Sequence, residues 1–386
     1  MRAHGVRTVE LTERACEICG AGGLEPLWRH EHVTETRDGS WRFPVTVALC
    51  RRCALVLASP APAQHDLDAY YGATFPAFTG QERDFSVDAR LELLDRYADK
   101  AGRLVEIGGN ESGQFADRSA ALFAERVSVE PNQRVDSDFA SIAELAPTSA
   151  ALVAHYFVLE HVTDARAFLR VCHGALREGG TMVCEVPDIS LYPRDASALL
   201  LHEHVNHFSP ATLARLAGSV GFTLERVDHA RCSRPFGFAA VFTKGEPEAP
   251  QPAAGAEVAH ARSCVEAGAA LIERWWAEID AVQAQIDAAS KPVVVWAAND
   301  FMATLLSRNE LHNRADLTLV DTDPTKSRIL GDMPVVRPEA AASALASAEL
   351  LVVCTPLHAK QILEQARELV GGELLARTTV VGDPLW

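Results

Sequence analysis

Across 386 residues the sequence has no apolar run that approaches the length of a membrane span, which excludes a spanning helix. Its first residues, Met-Arg-Ala-His, lack the apolar core of a signal peptide, so the expected location is cytoplasmic. Basic charge is scarce: 36 Lys and Arg stand against 52 Asp and Glu, for a net charge of −16. That balance argues against non-specific binding to nucleic acid or to an anionic membrane, although a local group of arginines can still hold an anionic ligand. No tandem repeat is present. What remains, 48% hydrophobic and 23% charged residues, is the composition of a soluble globular protein, long enough for two or three domains.

Nine cysteines are present, unevenly placed. Cys172, Cys184, Cys232, Cys264 and Cys354 stand singly in apolar or helical surroundings and read as small core residues. Cys16, Cys19, Cys50 and Cys53 form two C-x-x-C pairs, each able to clasp half of a tetrahedral site. Neither pair has a redox-type helix around it, so a thioredoxin-like reading is weak and a four-thiolate zinc site is expected. Four thiolates leave no open position for water. The zinc is therefore structural, and the segment 41–49 supplies a strand of the hairpin between the knuckles.

The stretch R-L-V-E-I-G-G-N-E-S-G-Q-F, 103–115, organises the rest. Leu104, Val105 and Ile107 predict a buried strand, Gly108, Gly109 and Gly113 a close-approach turn, and a helix follows from about Gln114. Such a turn serves a dinucleotide, S-adenosylmethionine (SAM), or close packing alone. The acid Glu106 just before the glycines favours SAM, whose amino-acid end it reaches; a phosphate would be repelled there. Glu130, ending the next strand-like run, is placed to accept the ribose hydroxyls, and Asn110 belongs to the same turn.

In chain order the sequence divides into a cysteine module (1–60), an aromatic-rich connecting segment or lid (61–86), a cofactor domain (87–245), a hinge and connector helix (246–290) and a second alternating unit (291–386). In the connecting segment Tyr70, Tyr71, Phe75 and Phe78 either lid a pocket or pack the module onto its neighbour. A helix over 87–100 precedes the cofactor strand; 150–162 reads as a buried strand entering a loop, 167–180 as a helix stopped by glycine, and 181–187 as the next strand. The alternation predicts an α/β doubly wound parallel sheet whose strand ends bring Glu106, Glu130, His155 and Glu185 around one crevice.

The run L-L-L-H-E-H-V-N-H-F-S-P, 199–210, carries the acid–base groups. Its histidines do not follow the i, i+4 spacing of a metalloprotease helix, so His204 is read as a general base oriented by Glu203, with His202 or His207 as the donor that stabilises a developing oxyanion. The plainer alternative is a set of histidines capping the helix that begins at Ser209-Pro210. A long helix is expected over 257–290. The unit after Lys291 repeats a strand–helix alternation, but its first turn, Ala297-Ala298-Asn299, lacks the glycines of a working cofactor site.

Taken together, Cys16, Cys19, Cys50 and Cys53, the turn Glu106 to Asn110, the loop Leu159 to Val162, Glu185 to Pro187, the run His202 to Ser209 and the segment Val320 to Lys326 resemble the three-part sugar C-methyltransferase family of SAM-dependent enzymes. The resemblance covers nearly the whole chain. It implies a class I methyltransferase sheet between an N-terminal zinc module and a C-terminal Rossmann-like domain. It also implies methylation of the carbon next to a ketone on a nucleotide-linked keto-deoxysugar in natural-product biosynthesis. An O- or N-methyltransferase acting on a non-sugar metabolite and a non-catalytic SAM-binding subunit are the alternatives. The sequence departs from the family in three places: Leu201 replaces a tyrosine two positions before the Glu-His pair, the last glycine of the turn is displaced by one, and the Gly-Ala-rich turn of the C-terminal unit has become Ala297-Ala298-Asn299. In the C-terminal domain Arg308, Arg314, Lys326 and Arg328 are the candidate contacts to a nucleotide diphosphate.

Overall fold

The computed structural model describes residues 7–36, 39–74, 84–97, 101–109, 114–131, 137–298, 302, 305–306, 311, 314–330, 333–355 and 358–381. Asn110, Gly113, Phe75, Phe78, Asn299 and Arg308 lie outside these, as do the side chains of Tyr71 and Arg328. The chain forms two compact units, one of residues 9–32 and 43–268, the other of residues 1–8, 33–42 and 269–386.

The first unit is built on a six-stranded sheet in the order Phe222–Asp228, Gly237–Lys244, Leu176–Pro187, Ala150–Tyr156, Arg103–Ile107, Glu125–Val129. The last four strands are mutually parallel, as the alternating pattern predicts. Gly237–Lys244 runs antiparallel to both its neighbours, so the sheet is mixed, not wholly parallel. The cause is local: only residues 229–236 join the last two strands, too few for the crossover that a parallel pair needs.

Helices cover both faces of this sheet. Asp84–Tyr97 and Gln114–Ala120 bury Val87, Leu91, Leu94 and Phe115 against Leu104, Leu152 and Val183 on one face. On the other, Ala165–Ala175 and Pro210–Gly218 pack Leu169, Cys172, Leu213 and Leu216 against Val105, Val153, Met182 and Cys184. Ser209 starts the second of these as a capping box with Thr212, its hydroxyl accepting from the Thr212 N–H, with Pro210 in the first turn. The expected helix over 167–180 ends at Ala175, because Leu176 turns extended and pairs with Ala150. Gly179, at φ +66°, lies where the register of the following strand shifts, so the glycines serve a bulge and not a helix stop.

A smaller sheet in the same unit pairs Val47–Leu49 with Val56–Ala58, and Val56–Leu57 in turn with Asn206–His207, both antiparallel. The acid–base run is thereby one strand of the sheet that carries the cysteine segment.

The second unit holds a five-stranded parallel sheet in the order Val335–Val336, Leu317–Val320, Val293–Trp296, Leu350–Val353, Thr378–Val380. Val294, Trp296, Leu351 and Val353 pack with Leu345, Ile362 and Ala366 from its helices. The long helix is Gly255–Ala288; within this unit its residues Ile272, Trp275, Ile279, Val282 and Ile286 form one buried stripe at three- and four-residue spacing.

Candidate active site

The strand Arg103–Ile107 delivers Glu106 to the turn. Glu106 is 6% exposed, and its carboxylate is ion-paired with Arg126 from the neighbouring strand. Gly108 has φ +78°, and a β-carbon there would stand 2.7 Å from Val158. At Gly109 a β-carbon would lie 2.7 Å from Glu106 Oε2. Gly108 is thus required by its backbone and by Val158, and Gly109 lets the Glu106 carboxyl group pack directly against the turn. Glu130 sits half-buried one residue past the end of the Glu125–Val129 strand, its N–H held by the Phe139 carbonyl at 3.0 Å.

His155 does not join this crevice. In the parallel register Ile107, His155 and Cys184 are neighbours, whereas Glu106 is level with Ala154 and Tyr156 with Glu185. Because side chains alternate along a strand, His155 points to the opposite face from Glu106. There it is wholly buried, edge-on to Phe168 at 5.3 Å, and burial lowers its pKa to about 3, so it is neutral. Tyr156 and Glu185 do share Glu106's face. Arg90 lies over the Tyr156 ring at 4.1 Å and reaches Glu185 at 3.4 Å, and Ser233 donates both N–H and O–H to Glu185. That carboxylate is held in place by its donors.

The 202–207 run lies against the loop after Ala150–Tyr156, a strand end of the sheet. Glu203 does not orient His204: its Oε2 is 3.1 Å from Nδ1 of His202. His204 is oriented by main chain, its Nδ1 donating to the Ala198 carbonyl at 2.8 Å. A carbonyl can only accept, so the proton sits on Nδ1 and the neutral ring keeps its lone pair on Nε2. Burial lowers the pKa of His204 to about 4 and that of His207 to about 3. His207 is tied to the Tyr192 hydroxyl at 2.7 Å, inside the core. His202 stacks on Phe43 at 3.9 Å and meets the edge of Tyr70 at 4.7 Å, so Tyr70 of the aromatic segment packs beside the run. Glu203 is the most accessible of the four acid–base groups, with a side chain 16% exposed. Desolvation raises its pKa to about 7.

Arg14 carries no motif of its own, whereas the Asn206 and His161 it works with lie in runs already singled out. Arg14 donates to the Val205 carbonyl and to Asn206 Oδ1, both at 2.7 Å, and is paired with Glu17. Asn206 donates in turn to the carbonyls of Leu159 and Val162, at 3.0 and 2.7 Å. This chain of bonds ties the cysteine segment, the acid–base run and the Leu159–Val162 loop together. The sequence signal for Arg14 is its position two residues before Cys16. His161, in that loop, donates from Nδ1 to the Glu203 carbonyl at 3.2 Å and meets the His204 ring at 4.7 Å.

The sulfurs of Cys16, Cys19, Cys50 and Cys53 lie within 4.8 Å of one another, with Cys19 and Cys50 3.7 Å apart. That separation is far beyond a disulfide bond of about 2.05 Å and matches the edge of about 3.8 Å that four sulfurs make at about 2.3 Å from one zinc. The two knuckles repeat one geometry: Gly20 donates to the Cys16 carbonyl and Ala54 to the Cys50 carbonyl, each with positive φ, +71° and +60°. The donor set fits the metal expected from the sequence.

In the second unit two of the candidate phosphate contacts are already engaged. Arg314 pairs with Asp316 at 2.7 Å and donates to the carbonyls of Ile286 and Ala289 at the end of the long helix. Lys326 pairs with Asp321 at 3.0 Å. Asp321 also accepts from the Ala298 and Asp323 N–H groups, at 2.8 and 2.9 Å, closing the turn that follows Val293–Trp296.

A family model described as a methyltransferase domain matches residues 78–227. No curated protein matches the chain. Among solved structures, an S-adenosylmethionine dependent methyltransferase from Mesorhizobium loti is 16% identical, with 41% of this chain and all of that one covered and a TM-score of 0.34. For the 1,6-didemethyltoxoflavin-N1-methyltransferase of Burkholderia thailandensis, crystallised with S-adenosylhomocysteine, identity is 14%, coverage 50% and 96%, and TM-score 0.38. For a SAM dependent methyltransferase from Archaeoglobus fulgidus the values are 17%, 41% and 93%, and 0.34. The family match spans the glycine turn, the acids at 106 and 130 and the run at 202–207, and on that ground this part of the chain is a SAM-dependent methyltransferase domain.

Proposed function

We propose that the enzyme methylates a carbon next to a ketone, on a nucleotide-linked keto-deoxysugar. The observation that carries this is the Glu203–His202 pair. A carboxylate with a pKa near 7, backed by an imidazole at 3.1 Å and partly open to solvent, is matched to removing a weakly acidic proton at neutral pH. This reading moves the base from His204, expected from the sequence, to its neighbour. SAM, when bound, supplies an electrophilic methyl group on a sulfonium. Glu203 takes the alpha proton, the electron pair left on carbon forms the new C–C bond as the C–S bond breaks, and S-adenosylhomocysteine departs. Glu106, Gly108, Gly109 and Glu130 are the described residues proposed to hold SAM; the sequence adds Asn110 and Gly113, which lie outside the described residues.

Exchange of the acceptor's alpha proton for deuterium is the test. Wild type should catalyse exchange, and Glu203→Gln should lower it by about 100-fold or more, with His202→Ala lowering it less. Full exchange in Glu203→Gln, or none in wild type on any ketosugar nucleotide, would refute the assignment. Leu201 favours a second reading, methylation of oxygen or nitrogen on a non-sugar metabolite. Carbon-13 NMR of the product made with methyl-labelled SAM separates the two: a methyl group on carbon resonates well upfield of one on oxygen or nitrogen.

Zinc is proposed to be structural, held by Cys16, Cys19, Cys50 and Cys53. Treatment with a mercurial should release one zinc per chain and unfold the cysteine segment; release of none would refute it. The C-terminal unit is proposed to be a Rossmann-like domain that helps hold the substrate, a reading its five-stranded parallel order supports. Since Arg314 and Lys326 are spent on internal partners, substituting either should leave the Michaelis constant for a sugar nucleotide unchanged. A nucleoside diphosphate should nevertheless compete with the substrate, and failure to compete would remove the nucleotide handle.

A further inference from the structure

Glu160 is wholly buried, and neither of its carboxylate oxygens has a hydrogen-bond partner among the described residues. Burying a carboxylate unpaired is costly, so the group either keeps its proton or faces a positive charge. Two imidazoles stand beside it. A carboxylate oxygen of Glu160, a ring nitrogen of His161 and a ring nitrogen of His204 all lie within 4.8 Å of one another, with His161 Nε2 3.9 Å from Glu160 Oε1.

The main chain fixes what those rings offer. His161 gives its Nδ1 proton to the Glu203 carbonyl, and His204 gives its Nδ1 proton to the Ala198 carbonyl. Each neutral ring therefore keeps Nε2 as an acceptor, so the cluster holds a carboxylate and two lone pairs. A metal-ligating histidine is anchored in this way, with its second nitrogen donating to a backbone carbonyl. We infer that Glu160, His161 and His204 bind a divalent first-row transition ion through one carboxylate oxygen and two Nε2 atoms. Ligand atoms about 2.1 Å from such an ion stand roughly 3.3 Å apart, so the cluster closes by an ångström or so on loading. Two imidazoles and one carboxylate leave positions open for an exogenous oxygen ligand, in contrast to the four-thiolate set. The His161 side chain is 22% exposed, which gives the ion a route in. The ion site stands whatever the acceptor is; its use to polarise the ketone, beside Glu203, rests on the function proposed above.

Titration of the metal-depleted full-length chain with Co2+ tests the site without turnover. Wild type should take up one equivalent with strong thiolate charge-transfer absorption and a second showing only weak visible bands from nitrogen and oxygen ligands. Glu160→Gln should abolish the second equivalent and spare the first, whose retention also shows that the protein has folded. His161→Gln, at a more open ring, should do the same and serves if Glu160→Gln does not fold. A wild type with no second equivalent, meaning that the three residues share a proton instead, would overturn the inference. So would either variant that keeps the second equivalent. Failure of alpha-proton exchange would leave this count unchanged, so the two proposals fail separately.

Discussion

Two turns in this protein start from the same design and end differently. After Arg103–Ile107 the chain turns through Gly108 at φ +78°; after Val293–Trp296 it turns through Ala297 at φ +82°. Each turn has an acid beside it. At the first, Glu106 comes from the strand itself, packs its carboxyl group where a Gly109 β-carbon would stand, and pairs with Arg126. At the second, Asp321 comes from the adjoining strand and fills the space, accepting from Ala298 and Asp323 and pairing with Lys326. The backbone shape of the turn is thus kept where its glycine is not, with the acid spent on backbone N–H groups. Shape alone does not distinguish the two turns; the partners of the acid do.

Substitutions at the two turns should separate them. The largest effect is expected at Gly109→Ala, where the new methyl group displaces the Glu106 carboxylate: SAM affinity by calorimetry should fall roughly 1,000-fold, about 4 kcal/mol. Unchanged affinity would erase the contrast. Next comes an acid with no cation assigned to it. Burial raises the Glu203 pKa from 4.5 to about 7, so between those values the folded state holds a proton that the unfolded chain has released. Its contribution is complete below about pH 4.5 and is lost as pH rises through 7, by about 3 kcal/mol. Glu203→Gln cannot ionise, so denaturant unfolding at pH 8 should show it more stable than wild type by about that amount, with no difference at pH 4; equal stability at both pH values would place Glu203 in water.

At the second turn Asp321→Ala strands two backbone N–H groups, one of them at the buried Ala298, and should cost about 2 kcal/mol of stability in the C-terminal unit with SAM affinity unchanged. The smallest effect is Ala297→Gly. It relieves a left-handed alanine and should stabilise by about 1 kcal/mol, a rise of a few degrees in Tm. A loss of stability instead would mean that the alanine methyl packs better than its backbone strain costs.

Much of the fold was legible because it rests on local pattern. The strand at 103–107, the helix from Gln114, the strand at 150–156, the Ser209-Pro210 helix start and the long helix all sit where periodicity and capping residues place them. The antiparallel edge was missed because strand direction depends on the length of connection that follows, not on the strand's own residues. His155 was placed in the crevice from its position at a strand end, although parity with Ile107 assigns it to the other face. At the acid–base run the residue types were legible and the pairing was not. Which of three consecutive polar residues meets which partner depends on the Ala198 carbonyl, on Phe43 and on Tyr70, and no spacing in the sequence says which ring faces which. Glu160 carried no signal as an orphan, since burial without a partner exists only in three dimensions.

The pairing of Asn206–His207 with Val56–Leu57 bears on how such an enzyme is inherited. The family match begins at residue 78, yet the strand on which the acid–base run docks and the arginine that fastens it both precede that point. A lineage could not acquire the 78–227 segment alone and keep this site. The unit that must travel as one piece of genetic text runs from about Val9, so the cysteine segment is less an appended accessory than the missing edge of the catalytic domain.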